Sequence, residues 1–158
     1  MMIHPIPPVY DQNSNILILG SFPSVKSREE SFFYGHPQNR FWRVISAVFE
    51  EDTPSSIEEK KSLLLRHGVA IWDVIASCEI VGSSDSTIKN VTANDLCEIL
   101  SGSRIYRIFV NGKTAEKYYR KYIRDKISID AVSLPSTSPA NAKLSLDSLI
   151  DIWKANIL

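Results

Sequence analysis

The chain has 158 residues, 44% of them hydrophobic and 23% charged, which is the composition of an ordinary globular protein with material for one compact core. Its 18 lysines and arginines balance 18 aspartates and glutamates. No overall charge bias therefore points to a nucleic-acid partner, and any evidence for such a partner must be local.

Several classes of protein are disfavoured by the composition. The two cysteines, Cys78 and Cys97, have no cysteine or histidine at a metal-ligand spacing, which argues against zinc, an iron–sulfur cluster or a disulfide framework. We expect both to be buried thiols, and we expect neither a metal nor another cofactor. No apolar run reaches the roughly 20 residues that cross a bilayer, and the N-terminus lacks a signal-peptide pattern, so we expect a cytoplasmic protein without a membrane partner.

Short apolar runs that end at polar, glycine or proline residues alternate with helical patterns along the chain. In chain order, the predicted elements are a strand at 16–19, helices at 40–49 and 57–67, a strand at 69–72, a helix at 93–100, a strand at 105–110, a helix at 114–124, a strand at 127–134 and a helix at 144–157. This alternation predicts an α/β fold, a three-layer α/β/α sandwich with a central four-stranded, mainly parallel sheet. We expect residues 1–158 to form a single domain.

Polar loops follow three of the predicted strands, where ligands bind in open parallel sheets. They are Gly-Ser-Phe-Pro-Ser at residues 20–24, Asn-Gly at 111–112, and Pro-Ser-Thr-Ser-Pro-Ala-Asn at 135–141. A fourth segment, residues 34–42, reads Tyr-Gly-His-Pro-Gln-Asn-Arg-Phe-Trp. These four segments predict the functional site.

The loop at 20–24, the segment at 34–42 and the loop at 134–139 together resemble the uracil-DNA glycosylase superfamily over nearly the whole domain. The segment at 34–42 is similar to the His-Pro-x-Asn-Arg-Phe-Trp stretch of the mismatch-specific uracil glycosylases. The full set is most similar to the hypoxanthine-DNA (deoxyinosine) glycosylase branch. The resemblance implies a monofunctional repair enzyme that flips a deaminated base, above all hypoxanthine, out of double-stranded or single-stranded DNA and leaves an abasic site.

Two positions depart from the better-known branches of that superfamily. Phe22 stands where those branches carry an Asp or Asn that positions the attacking water, and Leu134 stands where they carry a His or Asn. The resemblance to the hypoxanthine branch implies that Asn39 is the catalytic residue instead. A carboxamide orients water but takes up no proton at neutral pH, so its role is positioning. The structural alternative is that Asn39 caps the helix starting near Arg40.

Three residues are predicted to bind the base. Tyr34 matches the position of a stacking aromatic, although three aromatics in a row also suit a core. Asn111 ends a buried strand and resembles a base-binding Asn, although its amide also suits the turn with Gly112. Phe22 is expected to form a pocket wall.

The serine-rich and proline-rich loops suit phosphate binding by hydroxyl and backbone N–H groups, although such residues are common in any loop. The predicted DNA-backbone-binding residues are Ser21, Ser24, Ser136, Thr137, Ser138 and Lys143.

Two other functions remain open from the sequence. A glycosylase for uracil or mispaired thymine would share the fold and much of the pocket. A non-catalytic module that binds nucleic acid would keep the loops without the chemistry. We expect the protein to be a monomer.

Overall fold

The computed structural model describes residues 1–158. In chain order the strands are β1 (Met2–Ile3), β2 (Ile16–Gly20), β3 (Val69–Asp73), β4 (Ile75–Val81), β5 (Ser84–Ala93), β6 (Arg107–Asn111) and β7 (Ala131–Leu134). The helices are α1 (Val25–Glu30), α2 (Phe41–Val48), α3 (Ile57–Arg66), α4 (Cys97–Ser101), α5 (Lys113–Tyr122), α6 (Arg124–Ile127) and α7 (Leu146–Ile157). None of these helices is long and apolar enough to cross a membrane.

The centre of the molecule is a four-stranded sheet in the order β3–β2–β6–β7, and every neighbouring pair is parallel. All five residues of β2 are buried, as expected for an inner strand that is covered on both faces. The register places Gly20 at the end of β2 beside Asp73 at the end of β3. The predicted parallel sheet is therefore confirmed, and its carboxyl edge carries glycine and polar residues.

Each face of this sheet has its own hydrophobic core because successive side chains of a strand point to opposite faces. Ile16 and Ile18 belong to a core that includes residues of α2, α3 and α7. Leu17 and Leu19 belong to a second core, shared with α4, α5 and residues of β4 and β5. Helices thus cover both faces, which confirms the predicted three-layer sandwich.

A second, antiparallel sheet in the order β1–β4–β5 was not predicted. Shifts in the pairing of β4 with β5 leave the buried residues of β4, Ile75 and Cys78, three positions apart. An odd spacing removes the period-two pattern that identifies a strand in sequence. In β5 only Ile88 is buried, so that strand carries almost no apolar signal.

Three local predictions are wrong. The helix predicted at 93–100 starts later, because Ala93 ends β5 and α4 begins at Cys97, where the N–H bonds the side chain of Asp95 at 2.9 Å. The strand predicted at 127–134 is confined to β7, since α6 occupies its start and Ser128 turns the chain with φ of 58°. Cys78 is buried as predicted, whereas Cys97 is exposed.

Alkaline pH should destabilise the fold through Tyr119, which is 1% exposed and donates a hydrogen bond to the carbonyl of Ile129. Burial, followed by the nearby charge of Asp130, raises the pKa of Tyr119 from 10.0 to about 12. The unfolded chain therefore ionises first, so this contribution to stability is complete below pH 10.0 and is lost as pH rises towards about 12. We expect Tyr119→Phe to lose less thermal stability than the unmodified protein over that interval.

The measurement is the unfolding temperature by circular dichroism across the same interval of pH. Tyr106→Phe is the matched control, because Tyr106 is 65% exposed. Parallel curves for Tyr119→Phe and the unmodified protein would contradict the assignment.

Candidate active site

A cavity of about 520 Å³ opens at the carboxyl ends of the parallel strands. Its walls come from the loop after β2, the segment before α2, the turn between β4 and β5, the end of β6 and the loop after β7. The structure therefore brings the four segments singled out in the sequence together around one cavity. The predicted site residues that line it are Ser21, Phe22, Ser24, Tyr34, Asn39, Asn111, Ser136, Thr137 and Ser138.

Asn39 lies in the cavity wall immediately before α2. Its Oδ1 accepts hydrogen bonds from the backbone N–H of Phe41 at 2.9 Å and from the hydroxyl of Thr137 at 2.9 Å. A backbone N–H can only donate, so the atom facing it must be the carboxamide oxygen. Both acceptor positions of Oδ1 are thus occupied, and Nδ2 is the free end of the side chain. Asn39 can therefore support the start of α2 through Oδ1 and also present Nδ2 to the cavity.

Thr137 is fully buried and joins three parts of the site. Its hydroxyl donates to Asn39 and accepts from Nδ2 of Asn111 at 3.0 Å. Its backbone N–H donates to Oδ1 of Asn111 at 3.1 Å, and its carbonyl accepts from the N–H of Arg40 at 3.0 Å. The hydroxyl and N–H hydrogens of Thr137 are both engaged inside the protein, so a contact of Thr137 with the DNA backbone would require it to give up one of these bonds and stays a prediction.

Tyr34 forms a flat surface beside the cavity. Its ring stacks on Phe41, with centroids 4.0 Å apart and planes at 11°, so one face is covered. Its φ is 54°, an uncommon left-handed conformation for a residue other than glycine. Burial, and then the negative charge of Asp73, raise the pKa of the Tyr34 hydroxyl, which keeps it protonated.

The carboxamide of Asn111 is largely committed to other protein groups. Its Nδ2 donates to the hydroxyl of Tyr34 at 3.3 Å and to that of Thr137, while Oδ1 accepts the N–H of Thr137. One acceptor position on Oδ1 is all that remains for a ligand. Asn111 lines the cavity, and its contacts hold Tyr34 and Thr137 in fixed positions. A contact of Asn111 with a base stays a prediction.

Phe22 lies in the cavity wall and is 8% exposed. Its ring meets the ring of His4 edge-on, with centroids 5.9 Å apart and planes at 85°. The guanidinium of Arg28 lies 5.7 Å from the ring centroid of Phe22. Phe22 therefore shields His4 from the cavity, and its contact with a base stays a prediction.

The two serines of the loop after β2 are already engaged. The hydroxyl of Ser21 donates to the carboxylate of Asp85 at 3.2 Å. The hydroxyl of Ser24 donates to that of Ser27 at 3.1 Å and accepts the N–H of Ser27, which caps α1. Either serine would have to give up a bond inside the protein before it could donate to a phosphate.

The serines of the loop after β7 are in the opposite situation. The hydroxyls of Ser136 and Ser138 each accept a backbone N–H from two residues later and donate to no protein atom. Both hydroxyl hydrogens are therefore available at the cavity rim. Lys143 is exposed on the same loop but lies outside the cavity wall.

Sequence reasoning missed a buried pair in the cavity wall, Asp73 and His4. Asp73 is 4% exposed and lines the cavity, and its Oδ2 accepts a hydrogen bond from Nε2 of His4 at 2.8 Å. Nδ1 of His4 accepts the backbone N–H of Ile6 at 3.2 Å. Nδ1 is therefore unprotonated and Nε2 carries the hydrogen, so His4 is a neutral donor.

A signal for Asp73 was present in the sequence, because it directly follows the strand predicted at 69–72. No signal marked His4, which reaches the site from the N-terminal segment. No three histidine, cysteine, aspartate or glutamate side chains lie together as a group that could hold a metal ion.

Comparison with known proteins gives one family. The family model described as the uracil DNA glycosylase superfamily matches residues 7–156. A Methanosarcina acetivorans protein named hypoxanthine DNA glycosylase is 36% identical over 143 residues, 88% of each chain. A Methanosarcina barkeri protein of the same name is 32% identical over 149 residues, 93% of this chain and 92% of the relative.

A solved structure has the same fold. The solution NMR structure of a Methanosarcina acetivorans protein, provisionally assigned as a uracil DNA glycosylase, superposes with a TM-score of 0.82 at 32% identity. The match covers 98% of this chain and 96% of that chain.

Removing the hydroxyl of Thr137 should destabilise the site. Thr137→Val keeps the shape but removes one hydrogen bond from Asn39 and one from Asn111 at a buried junction. We expect a loss of about 1–3 kcal/mol in the free energy of unfolding, measured by urea denaturation. Thr137→Ser keeps the hydroxyl and should lose less than Thr137→Val. A valine variant as stable as the serine variant would contradict this role.

Proposed function

Because the chain belongs to the uracil DNA glycosylase superfamily, we propose that it is a monofunctional DNA glycosylase that removes hypoxanthine from DNA. The observation that carries the proposal is the free Nδ2 of Asn39 in the wall of a cavity that the ring of Tyr34, stacked on Phe41, also lines. The choice of hypoxanthine as the base that is removed rests on the names of the two Methanosarcina relatives, both called hypoxanthine DNA glycosylase. The cavity, about 520 Å³, is within the usual range for small-ligand pockets, so a flipped purine is a suitable occupant.

Asn39 would hold the attacking water through Nδ2. Its Oδ1 already accepts two hydrogen bonds, from Phe41 and Thr137, so the side chain can bind a water only by donating from Nδ2. A water that accepts this bond keeps its second lone pair for C1' of the sugar. Breaking an N-glycosidic bond creates a strongly electrophilic sugar cation, which needs a placed water more than a strong base.

Tyr34 would bind the flipped base on the ring face opposite Phe41. Stacking of a base on an aromatic side chain is worth about 1–3 kcal/mol and does not depend on base identity. The hydroxyl of Tyr34 keeps its proton because its pKa is raised, and no protein atom accepts that proton. It is therefore a neutral donor for the base. Phe22 would close another side of the base pocket.

The residues that line the cavity favour hydrolysis of the glycosidic bond without cleavage of the DNA strand. No lysine is among the residues that line the cavity, so no amine is placed to form a Schiff base with the sugar. The product would be an abasic site in an intact strand.

The DNA backbone would run along the rim of the cavity. Ser136 and Ser138 have free hydroxyl hydrogens there, and Lys143 is exposed on the same loop. Such contacts fix the position of the DNA without reading its sequence. Ser21 and Ser24 would join them after exchanging their present bonds.

The test is a panel of end-labelled duplexes that contain hypoxanthine, uracil, xanthine or mismatched thymine, incubated with the protein and then treated with alkali. We expect alkali-dependent breaks at hypoxanthine. Breaks confined to uracil or thymine would favour a pyrimidine glycosylase of the same fold. Binding with no breaks at any base would indicate a non-catalytic module.

Asn39→Ala and Asn39→Asp test the catalytic residue within the same panel. Both lose the donor that holds the water, so we expect base release to fall about 100-fold to 1,000-fold, the usual effect of one lost transition-state donor. Oligonucleotide binding, measured by gel shift, should persist.

Asn13→Ala is the matched control, since Asn13 is exposed and precedes β2 at the opposite edge of the sheet. Release at the unmodified rate by both Asn39 variants would contradict the mechanism.

A further inference from the structure

We propose that Asp73 recognises the deaminated base, with its free oxygen Oδ1 accepting a hydrogen bond from the lactam N–H of hypoxanthine at position 1. The inference rests on the proposed function and adds the group that separates hypoxanthine from its parent base, adenine.

The carboxylate of Asp73 lies in space that only a glycine leaves open. A Cβ added to Gly20, which also lines the cavity, would lie 2.4 Å from Oδ1 of Asp73. The same point lies 3.1 Å from the hydroxyl oxygen of Tyr34. Oδ1 is therefore near the hydroxyl end of the ring on which the base would stack. That is the place for a contact with the edge of the base rather than with its face.

Only one of the two carboxylate oxygens is occupied by the protein. His4, a neutral donor by its tautomer, bonds Oδ2 at 2.8 Å. The rings of Phe22, Phe33 and Trp72 surround the imidazole of His4 with centroids 5.9 to 6.1 Å away. This apolar enclosure fixes the imidazole, and through it the orientation of the carboxylate.

Oδ1 of Asp73 has no hydrogen-bond partner in the protein, although the side chain is 95% buried, with 5% of its surface exposed. Asp73 lines the cavity and no fully buried side-chain oxygen lacks a partner, so Oδ1 is an acceptor that is open to the cavity and that water or a ligand must satisfy. Such groups concentrate at functional sites, where the ligand supplies the missing partner. The missing partner here is a hydrogen-bond donor, because an ionised carboxylate only accepts.

The chemistry of the bases then sets the preference. Deamination converts adenine, whose N1 is a bare acceptor, into hypoxanthine, whose N1 carries a hydrogen. In the same pose adenine would place its N1 lone pair against Oδ1 of Asp73. A site built to bond an N–H strongly rejects an analogue that lacks it, because its own buried group is left unpaired. Uracil likewise carries a ring N–H that cytosine lacks, so this contact with Asp73 would separate hypoxanthine from adenine and uracil from cytosine, but it would not reject guanine or thymine, which carry such an N–H themselves.

The test compares duplexes that carry hypoxanthine, N1-methylhypoxanthine or adenine under single-turnover conditions. The methyl group removes the hydrogen that Oδ1 would accept. We expect the unmodified protein to release hypoxanthine at least about 10-fold to 100-fold faster than the methylated base, the range for a hydrogen bond to a charged group. Equal rates for the two bases would overturn the proposal without any variant.

Asp73→Ala should lower release of hypoxanthine by a similar factor. Release of N1-methylhypoxanthine should stay nearly unchanged, because that base has no N1 hydrogen whose bond to Oδ1 could be lost. The ratio of the two rates would then approach one. Equal loss on both substrates would overturn the proposal, because it would mean that Asp73 holds the water or the fold. Asp125→Asn is the matched control, since Asp125 is an exposed carboxylate on α6.

The two proposals fail in different ways. A protein that releases no deaminated base at all would overturn both. A protein that releases hypoxanthine without regard to the N1 hydrogen would overturn only the role of Asp73. A misfolded Asp73→Ala, detected by circular dichroism, leaves the methyl comparison in the unmodified protein to decide.

Discussion

The site depends on the burial of Thr137, because one side chain links three separate stretches of the chain. Asn39 comes from the loop before α2, Asn111 from the end of β6, and Thr137 from the loop after β7. The buried hydroxyl of Thr137 is satisfied only when both asparagines are in place, so a partial arrangement would leave part of this hydrogen-bonding network unpaired. Arg40 reinforces the junction, since its guanidinium donates to the carbonyls of Asn141 and Leu144 at 2.8 and 2.6 Å.

The consequence is a cavity whose polar groups are oriented before any ligand binds. Asn111 also holds the hydroxyl of Tyr34, whose ring is fixed on its other side by Phe41. Water would therefore meet Nδ2 of Asn39, and a base would meet the ring of Tyr34, without rearrangement of either. Groups that need no reorganisation during the reaction are the ones that stabilise a transition state most.

The sequence predicted the loops that follow the parallel strands. It missed the irregular β4–β5 hairpin and the contacts between residues that are far apart in the chain. Ile16 to Gly20 has the continuous apolar pattern of a buried parallel strand, and the loop after it was correctly placed at the site. The β4–β5 hairpin was invisible because its buried residues do not alternate. The contacts of Thr137 with Asn39 and Asn111 were not predicted, since no pattern in a Pro-Ser-Thr-Ser loop reveals which hydroxyl turns inward. His4 was missed because its partner is 69 residues away.

A carboxylate beside the departing base carries a cost as well as a benefit. In the proposed complex the charge of Asp73 would oppose negative charge on the purine as the bond to C1' breaks. Burial, together with the same charge, raises the pKa of Tyr34 and so preserves a neutral donor at that edge. Selectivity for the lactam N–H and restraint on the anionic leaving group are thus two effects of a single buried charge.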